Sequence, residues 1–340
     1  MKIAFLNNFY NYGGTRTSYE LAKSFGVNNE MRFYGCVDGE YRDYFSKIGK
    51  TFLFPFNPNL AYEKHLIEEL IDFEPDVIHA FIPGKESLSF LKGFTNKAIR
   101  IVTVLNDETI GFNHHEFDHT IFSSEYQKQT NNPITNSSVI RPSISMDLPQ
   151  SKQKEIATFG RISSFCPTKK IQDTVSCAAE VNNQFYISGE IQRSRISKEY
   201  YRSIVAYSNK VANNVLVSNN INEKQKAELL NNIDVIHHPS TNETLCFSML
   251  EGFAMKKPVI TYSNSALLEI MGDSEWACSD INDLKEKTIK MSTLSATERQ
   301  EIGERNYKEY TANKSEIYHN QVMDIYKKYA PTLEVVTTST

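Results

Sequence analysis

The chain has 340 residues, of which 40% are hydrophobic and 23% are charged, and its formal net charge at pH 7 is −4. This length favours two domains over a single core, and no apolar run approaches the roughly 18 residues that a membrane-spanning helix needs. The five cysteines include no C-x-x-C pair, so neither a disulfide framework nor a zinc site is indicated. The acidic balance disfavours a generally basic nucleic-acid binder, and we expect a cytoplasmic protein without integral membrane association.

Short β-branched or aromatic segments alternate with helical patterns through the first part of the chain. The predicted strands are KIAFLNN, MRFYGCV, TFLFPF, DVIHAF, IRIVTVLN, HTIFSS and SSVIRPS. Between them, 61–73 carries Leu66, Ile67, Leu70 and Ile71 on one helical face. Strands that alternate with crossover helices are typical of a parallel sheet. The sequence therefore predicts a Rossmann-like first domain over 1–147.

A polar stretch with a proline, 146–155, separates this pattern from a second one. The second set of predicted strands is EIATFG, NQFYISG, NVLVSNN, DVIHHPS, PVITYS and EWACS. We predict a second Rossmann-like domain over 148–314, a terminal helix over 315–329 and a flexible tail over 330–340. The fold class is thus α/β with two doubly wound domains. Ligands in such folds bind outside the carboxyl ends of the strands, so the site is expected in the cleft between the domains.

Two carboxylates follow the strand DVIHHPS of the second domain. Glu243 and Glu251 are eight positions apart, about 12 Å or roughly two helical turns if a helix starts near Thr244. Carboxylates accept hydrogen bonds from vicinal hydroxyls, and the amides at a helix N-terminus bind phosphate. The pattern therefore fits a nucleotide sugar, with its diphosphate near the amides of Thr244, Leu245 and Cys246. A surface helix residue and a first-turn acid are an equally good interpretation of the same spacing.

Cations and glycines follow two other predicted strands. Arg161 and Lys169 follow the first strand of the second domain, where they would offset negative charge on a leaving nucleotide. Solvated loop charges are the alternative.

Gly13 and Gly14 form the first strand-to-helix turn, where glycine lets the backbone approach a ligand closely or turn tightly. No predicted strand is followed by G-x-G-x-x-G, G-x-x-x-x-G-K-[ST] or G-x-S-x-G, which disfavours nicotinamide enzymes, kinase-type ATPases and esterases.

The histidines do not indicate metal chemistry. His114 and His115 adjoin Glu116, but no pattern such as H-E-x-x-H accompanies them, and adjacent side chains in a loop diverge. We therefore expect no metal site. His79 lies at the end of a predicted strand, where a structural role is commoner than a catalytic one.

Four motifs, taken in order, resemble those of glycosyltransferase family four, the retaining enzymes of the GT-B fold. They are Gly13–Gly14, then Gly160–Arg161 with Lys169, then Pro239–Ser240 with Glu243, and finally Glu251–Gly–Phe–Ala254 with Pro258–Val–Ile. The resemblance spans nearly the whole chain, and an ordered set of four motifs is more specific than any one of them. It implies two Rossmann-like domains that face each other across a cleft, with the last helix crossing back to the first domain.

The resemblance also implies roles for single residues. Arg161 and Lys169 would bind the donor diphosphate, Glu243 would contact the transferred sugar, and Glu251 would hold the ribose. Lys170 is the alternative to Lys169, because the insertion before it is longer than is common in the family. The other predicted donor-binding residues are Gly13, Gly14, Gly189, Thr244, Leu245 and Cys246. Neither a metal nor a cofactor is implied, since the nucleotide sugar is a co-substrate.

Two departures from the family pattern leave the catalytic activity of this chain open. Asn106 and Asp107 stand where the family usually has a histidine, and Cys246 replaces a common glycine; we expect Asn106, Asp107 and His79 to contact the sugar or the acceptor. Because Asn106 cannot act as a general base near neutral pH, a GT-B scaffold that binds nucleotide sugar or a partner protein without catalysis is the alternative function.

The expected acceptor is a glycan, a small molecule or a modified nucleic-acid base. Residues 192–202 interleave cations with aromatics as nucleic-acid contacts do, although a solvated helix entry explains them better.

Overall fold

The computed structural model describes residues 1–10, 13–26, 29–54, 61–82, 97–105, 117–131, 134–146, 152–192, 194–271, 274–312 and 314–329. Within these ranges, no helix combines the length with the hydrophobicity that a bilayer crossing requires. The chain divides into two compact units, the first comprising Met1–Ser145 with Asn313–Thr340 and the second Met146–Ala312. The acceptor-binding and donor-binding roles predicted for the two domains stay predictions.

The first unit is built on a parallel sheet, which has seven strands in the described residues. The strands are β1 (Lys2–Leu6), β2 (Glu30–Gly35), β3 (Lys50–Leu53), β4 (Val77–Ile82), β5 (Ile99–Val104), β6 (His119–Phe122) and β7 (Ser137–Val139). Their order in the sheet is β3-β2-β1-β4-β5-β6-β7. The helices are α1 (Gly13–Ser24), α2 (Tyr41–Ser46), α3 (Ala61–Phe73), α4 (Glu125–Thr130) and α12 (Ser315–Tyr329).

Apolar side chains cover both faces of this sheet, as the period of two along its strands requires. On one face, Phe5 and Ile101 pack with Leu21 of α1 and with Tyr318 and Tyr326 of α12. The other face is covered mainly by α3, and its buried core residues include Ala4, Ile78, Val102, Leu66, Leu70 and Phe73. The last helix therefore belongs to the core of the first unit.

In its described residues, the second unit repeats this architecture with a six-stranded parallel sheet. The strands are β8 (Phe159–Ile162), β9 (Phe185–Gly189), β10 (Val215–Asn219), β11 (Val235–His238), β12 (Val259–Tyr262) and β13 (Ala277–Cys278), in the order β10-β9-β8-β11-β12-β13. The helices are α5 (Ile171–Ala178), α6 (Arg195–Val211), α7 (Glu223–Asn232), α8 (Phe247–Ala254), α9 (Ser265–Ile270), α10 (Ile281–Thr293) and α11 (Ala296–Ala312). The predicted class of two α/β Rossmann-like units is confirmed.

Strand β8 lies later in the chain than the segment EIATFG predicted. The residues before it are partly exposed, and Ile156 is 75% exposed. The strand instead includes Arg161, whose backbone is paired with Ile187 of β9. Because a strand residue inside a covered sheet points its side chain toward a packed layer, this shift determines where the guanidinium of Arg161 lies.

Candidate active site

The central strands β8 and β11 lie side by side although α5, β9, α6, β10 and α7 separate them in the chain. After β8 the chain builds β9 and β10 on one side of the sheet, and after β11 it builds β12 and β13 on the other. Such a reversal of strand order leaves a crevice outside the carboxyl ends of the two strands, where ligands bind in open α/β sheets. The loops that follow β8 and β11 carry Lys169 and Glu243.

Lys169 and Glu243 form an ion pair between these two loops. Lys169 ends a short 3₁₀ turn, Pro167–Lys169, and its Nζ lies 2.7 Å from Oε1 of Glu243. The side chains are only 19% and 8% exposed, respectively. The adjacent Lys170 has a φ of 50° and caps the N-terminus of α5. Of the two lysines that the sequence left open, the geometry therefore favours Lys169 as the cation of the site.

Both members of this pair are charged at neutral pH. Burial acts to raise the pKa of Glu243, but the Lys169 ammonium and a hydrogen bond from His238 outweigh it and lower the pKa to about 2. Burial likewise acts to lower the pKa of Lys169, and the Glu243 carboxylate reverses this effect, so that the pKa is raised. The site thus holds a fixed ammonium beside a carboxylate that accepts hydrogen bonds.

His238, the last residue of β11, is the second partner of this carboxylate. Its Nε2 lies 3.0 Å from Oε1 of Glu243, and its Nδ1 lies 3.1 Å from Oγ of Ser248 on α8. The Ser248 hydroxyl is in turn 3.3 Å from Sγ of Cys246. Burial, partly opposed by Glu243, lowers the pKa of His238 to about 4. Four side chains thus form one buried hydrogen-bonded row.

His238, Glu243 and Cys246 also present possible metal ligands, whose atoms lie within 4.8 Å of one another. Their present contacts do not favour a metal. Oε1 of Glu243 already binds the Lys169 ammonium, whose positive charge would repel a metal ion placed there.

Arg161 is fully buried and donates hydrogen bonds to both the loop after β8 and the loop after β11. Its Nη1 donates to the carbonyl oxygen of Pro239 at 2.9 Å and to Oγ1 of Thr174 at 3.2 Å. Its Nη2 donates to the carbonyl of Lys169, and its Nε to Oγ of Ser163. Burial lowers the pKa of Arg161 to about 10, so the guanidinium stays charged at neutral pH. Its predicted contact with the donor diphosphate stays a prediction, and this structure gives it protein partners instead.

The two loops also bind each other directly. The backbone N–H and the Oγ1 of Thr241 both donate to the carbonyl of Thr168 at 3.0 Å, and Oγ of Ser240 donates to it at 3.3 Å. Together with those of Arg161, these hydrogen bonds explain why the loop after β8 and the loop after β11 hold Lys169 and Glu243 next to each other. The Pro-Ser step of the sequence motif has this structural use.

The helix that carries Glu251 begins later than predicted. Helix α8 starts at Phe247, with Cys246 as its N-cap residue, so Thr244 and Leu245 precede the helix and Glu243 is a loop residue. The separation of about two helical turns, which depended on a helix start near Thr244, therefore does not apply. Competing contacts explain the late start, since the backbone of Glu243 bonds to α9 through Ser265 Oγ and Ala266 N–H.

Glu251 is buried in the middle of α8 and faces α7. Its Oε1 lies 3.0 Å from Nζ of Lys226, which also contacts Oε2 of Glu223 at 2.8 Å. A buried carboxylate with a cation beside it is not the surface helix residue of the alternative interpretation. The predicted ribose contact of Glu251 stays a prediction.

The predicted glycines occupy tight positions. At Gly189, which ends β9, a Cβ would lie 1.6 Å from the carbonyl oxygen of Ser163, so the close approach of two backbones requires glycine there. This packing accounts for Gly189 without a ligand. Gly13 and Gly14 are the first residues of α1 in the first unit, and their predicted donor contact stays a prediction.

Of the predicted acceptor contacts, only His79 lies in the described residues; Asn106 and Asp107 lie outside them. His79 is fully buried in β4, with Nδ1 2.6 Å from the hydroxyl of Tyr326 and Nε2 2.8 Å from Oγ1 of Thr103. Burial lowers its pKa to about 3. An acceptor would have to break this packing, so the structure does not support a contact with His79.

The aromatic residues of 192–202 serve packing. Tyr200 accepts a hydrogen bond from the Ile171 N–H at 2.8 Å, and Tyr201 accepts one from Asn219 at 2.7 Å. Both rings pack against the cluster that contains Phe165 and Ile204. The solvated helix entry is therefore the better interpretation of this segment than a nucleic-acid contact.

His238, Ser248 and Lys226 are site residues that the sequence analysis did not identify. His238 offered a signal, because a histidine at the end of a buried strand, five residues before Glu243, is placed to reach that carboxylate. Lys226 gave none, since a lysine in the polar helix EKQKAELLNN has the composition of a solvated face.

Residues 149–309 match the family model of glycosyl transferases group 1, which includes every candidate residue of the second unit. The chain is similar in structure to HepE of Anabaena, solved with UDP-glucose (TM-score 0.79, 14% identity, covering 96% of this chain and 100% of that one). It is also similar to sucrose-phosphate synthase of Thermosynechococcus elongatus (TM-score 0.75, 12% identity, 98% and 100%) and to a glycosyltransferase of Rickettsia africae (TM-score 0.74, 14% identity, 98% and 99%). No curated protein sequence matches the chain.

These comparisons confirm the predicted GT-B class of fold. The match to the glycosyl transferases group 1 model lies within the second unit, and the activity of the whole chain is therefore a matter of proposal. The predicted membership of family four and the retaining mechanism stay predictions.

Proposed function

We propose that this protein is a retaining glycosyltransferase that moves a sugar from a nucleoside diphosphate sugar to an acceptor hydroxyl. The observation that carries the proposal is the buried Lys169–Glu243 ion pair outside the carboxyl ends of β8 and β11. This pair lies within the residues that match the glycosyl transferases group 1 model. The acceptor is a glycan, a small molecule or a modified nucleic-acid base.

Lys169 would bind the diphosphate of the donor. Its pKa is raised, so it carries a full positive charge at neutral pH. As the bond between the anomeric carbon and the phosphate oxygen breaks, negative charge grows on the leaving nucleotide, and a fixed ammonium stabilises that charge. A cation supplied by the protein at this position supports a reaction without a metal.

Glu243 would bind a hydroxyl of the transferred sugar. Lys169 and His238 both contact Oε1, and within the described residues Oε2 has no hydrogen-bond partner. A carboxylate with a pKa of about 2 accepts hydrogen bonds and does not donate a proton near neutral pH. We assign Oε2 as the acceptor of a sugar hydroxyl, and Glu251 as the acceptor of the ribose hydroxyls.

In the proposed reaction, the new bond to the acceptor oxygen forms on the face from which the phosphate leaves, so the anomeric configuration is retained. The proton of the acceptor hydroxyl passes to the departing phosphate oxygen. Glu243 is a weak general base, because its pKa of about 2 lies far below neutral pH, and this is consistent with removal of the acceptor proton by the departing phosphate oxygen.

The proposal is tested first by binding. A thermal-shift panel of nucleoside diphosphates and their sugar conjugates, run in EDTA, should show a raised melting temperature with one base, because a ligand of the folded state stabilises it. Uridine compounds come first in the panel, since the similar HepE was solved with UDP-glucose. A shift without release of nucleoside diphosphate in the presence of acceptors would favour the non-catalytic scaffold. No shift with any nucleotide would overturn the proposed function.

A further inference from the structure

We propose that His238 is a positioning residue for Glu243: it shares Oε1 with Lys169 and thereby leaves Oε2 as the oxygen that receives the sugar hydroxyl. This inference rests on the proposed function. The geometry that supports it is the row Cys246–Ser248–His238–Glu243, whose hydrogen bonds are 3.3, 3.1 and 3.0 Å long.

The direction of each hydrogen bond in this row follows from the last member. An ionised Glu243 only accepts, so Nε2 of His238 must carry the proton. The imidazole is neutral at physiological pH, so Nδ1 has a free lone pair and accepts from the Ser248 hydroxyl. The oxygen of Ser248 then accepts from the Cys246 thiol. Cys246, Ser248 and His238 each donate one hydrogen bond and Glu243 only accepts, so a single tautomer of His238 satisfies the row.

The backbone of Glu243 is fixed independently of this row. Its N–H donates to Oγ of Ser265 at 3.2 Å, and its carbonyl accepts from the N–H of Ala266 at 3.2 Å. The remaining freedom is the rotation of the side chain. The Lys169 ammonium alone can bind either oxygen of a carboxylate, because it is a point charge with rotatable donors. A second donor on a rigid strand, His238, selects Oε1.

His238 differs in this respect from its neighbour. His237 points to the other face of the sheet, where Nδ1 contacts Oγ1 of Thr174 at 3.2 Å and Nε2 contacts Oγ1 of Thr288 at 3.0 Å. The period of two along β11 therefore separates a histidine that packs the interior from one that reaches the candidate site.

The test compares His238→Leu with His238→Gln. Leucine removes both hydrogen bonds, whereas the glutamine amide places an N–H where Nε2–H was. We expect His238→Leu to lower kcat for the donor by about 10–100-fold, because a reacting group that is misplaced by about 1 Å has that effect. Affinity for the nucleoside diphosphate alone should change less than about threefold, because Lys169 and Glu251 remain. His238→Gln should recover most of the lost kcat.

The pH profile gives a readout that a merely structural role would not move. The charged and titratable groups that face Glu243 in the described residues are Lys169, Arg161, His238 and Cys246. The N–H that His238 donates to Glu243 helps to lower the pKa of that carboxylate. Its loss in His238→Leu should therefore move the acid limb of the kcat profile to higher pH, and His238→Gln should restore the wild-type position of that limb. His79→Gln is the control for loss of a buried histidine, since His79 lies in the first unit.

Should His238→Leu fail to fold, Ser248→Ala replaces it, with an expected severalfold loss of kcat and unchanged nucleotide affinity. Equal kcat and equal acid limbs in the wild type, His238→Leu and Ser248→Ala would overturn the inference. A loss of kcat matched by an equal loss of nucleotide affinity in all variants would also overturn it. Absence of any nucleotide-sugar turnover in the wild type would instead overturn the proposed function, and the role of His238 with it.

Discussion

Nη1 of Arg161 lies 2.9 Å from the carbonyl oxygen of Pro239, so a residue of strand β8 holds the residue that directly follows β11. The same guanidinium binds the carbonyl of Lys169. One buried side chain thereby connects the two loops that carry the ion pair. The family resemblance gave Arg161 the diphosphate as its ligand, whereas the structure gives it the backbone of the site.

Replacing Arg161 distinguishes these two roles. Arg161→Lys keeps the positive charge but not the fork of donors, so we expect the second unit to lose about 2–4 kcal/mol of stability and the nucleotide affinity to fall with it. Urea unfolding and nucleotide titration measure the two effects. A tenfold loss of affinity without any change in the unfolding midpoint would show instead that Arg161 binds the diphosphate directly.

Lys169 should matter more for turnover than for donor binding. Lys169→Met removes the ammonium that faces the leaving diphosphate, and we expect kcat to fall by about 100–1,000-fold, the usual effect of losing one group that stabilises transition-state charge. Lys170→Met is the matched control, because Lys170 is adjacent and caps α5; its kcat should stay within about twofold of the wild type. Comparable losses in both variants would argue against the assignment of Lys169.

Glu251 should contribute to nucleotide affinity. Glu251→Gln keeps the shape of the side chain but weakens its hydrogen bonds to hydroxyls, and we expect the Kd for the nucleoside diphosphate to rise about 10–100-fold. Glu223→Gln is the control, since Glu223 is the other carboxylate that contacts Lys226. Isothermal titration measures both variants. An unchanged Kd in Glu251→Gln would remove Glu251 from the donor site.

The stability of the first unit should depend on pH through His79. The pKa of His79 is lowered from 6.5 to about 3 by burial, so between these values the unfolded chain binds a proton that the folded chain does not. Stability is therefore fully present above about pH 6.5 and is lost as the pH falls, by up to about 1.4 kcal/mol per pH unit for one group. His79→Gln should reduce this dependence by one proton when urea unfolding is compared at pH 7.5 and 5. An identical slope in the variant would show that His79 is not buried as a neutral group.

The fold could be predicted from the sequence because the hydrophobic residues of its strands and helices recur periodically. Buried parallel strands such as KIAFL and VITY are continuous apolar runs, and the alternation with helices identifies the sheet. The late start of β8 at Phe159 and of α8 at Phe247 was out of reach, because both depend on contacts between distant segments. The α8 boundary, for example, follows bonds from the Glu243 backbone to Ser265 and Ala266.

The sequence identified several residues of the candidate site but not which side chains contact each other there. Spacing and motif order identified Lys169, Glu243 and Glu251, yet they could not pair Lys169 with Glu243 or Glu251 with Lys226, because 74 residues separate the first pair and no pattern links the second. The shift of β8 also turned Arg161 from a predicted loop residue into a buried one. Side-chain partners across a sheet are decided by three-dimensional packing, and a single sequence does not encode them as a pattern.

Nucleotide-sugar transfer that depends on Lys169 is tested most directly by the release of nucleoside diphosphate from a panel of nucleotide sugars, in EDTA, by the wild type and by Lys169→Met. We expect the wild type to release nucleoside diphosphate from one donor, and Lys169→Met to do so at least about 100-fold more slowly. Equal rates in the two proteins, or no release by the wild type from any donor and acceptor, would contradict this expectation.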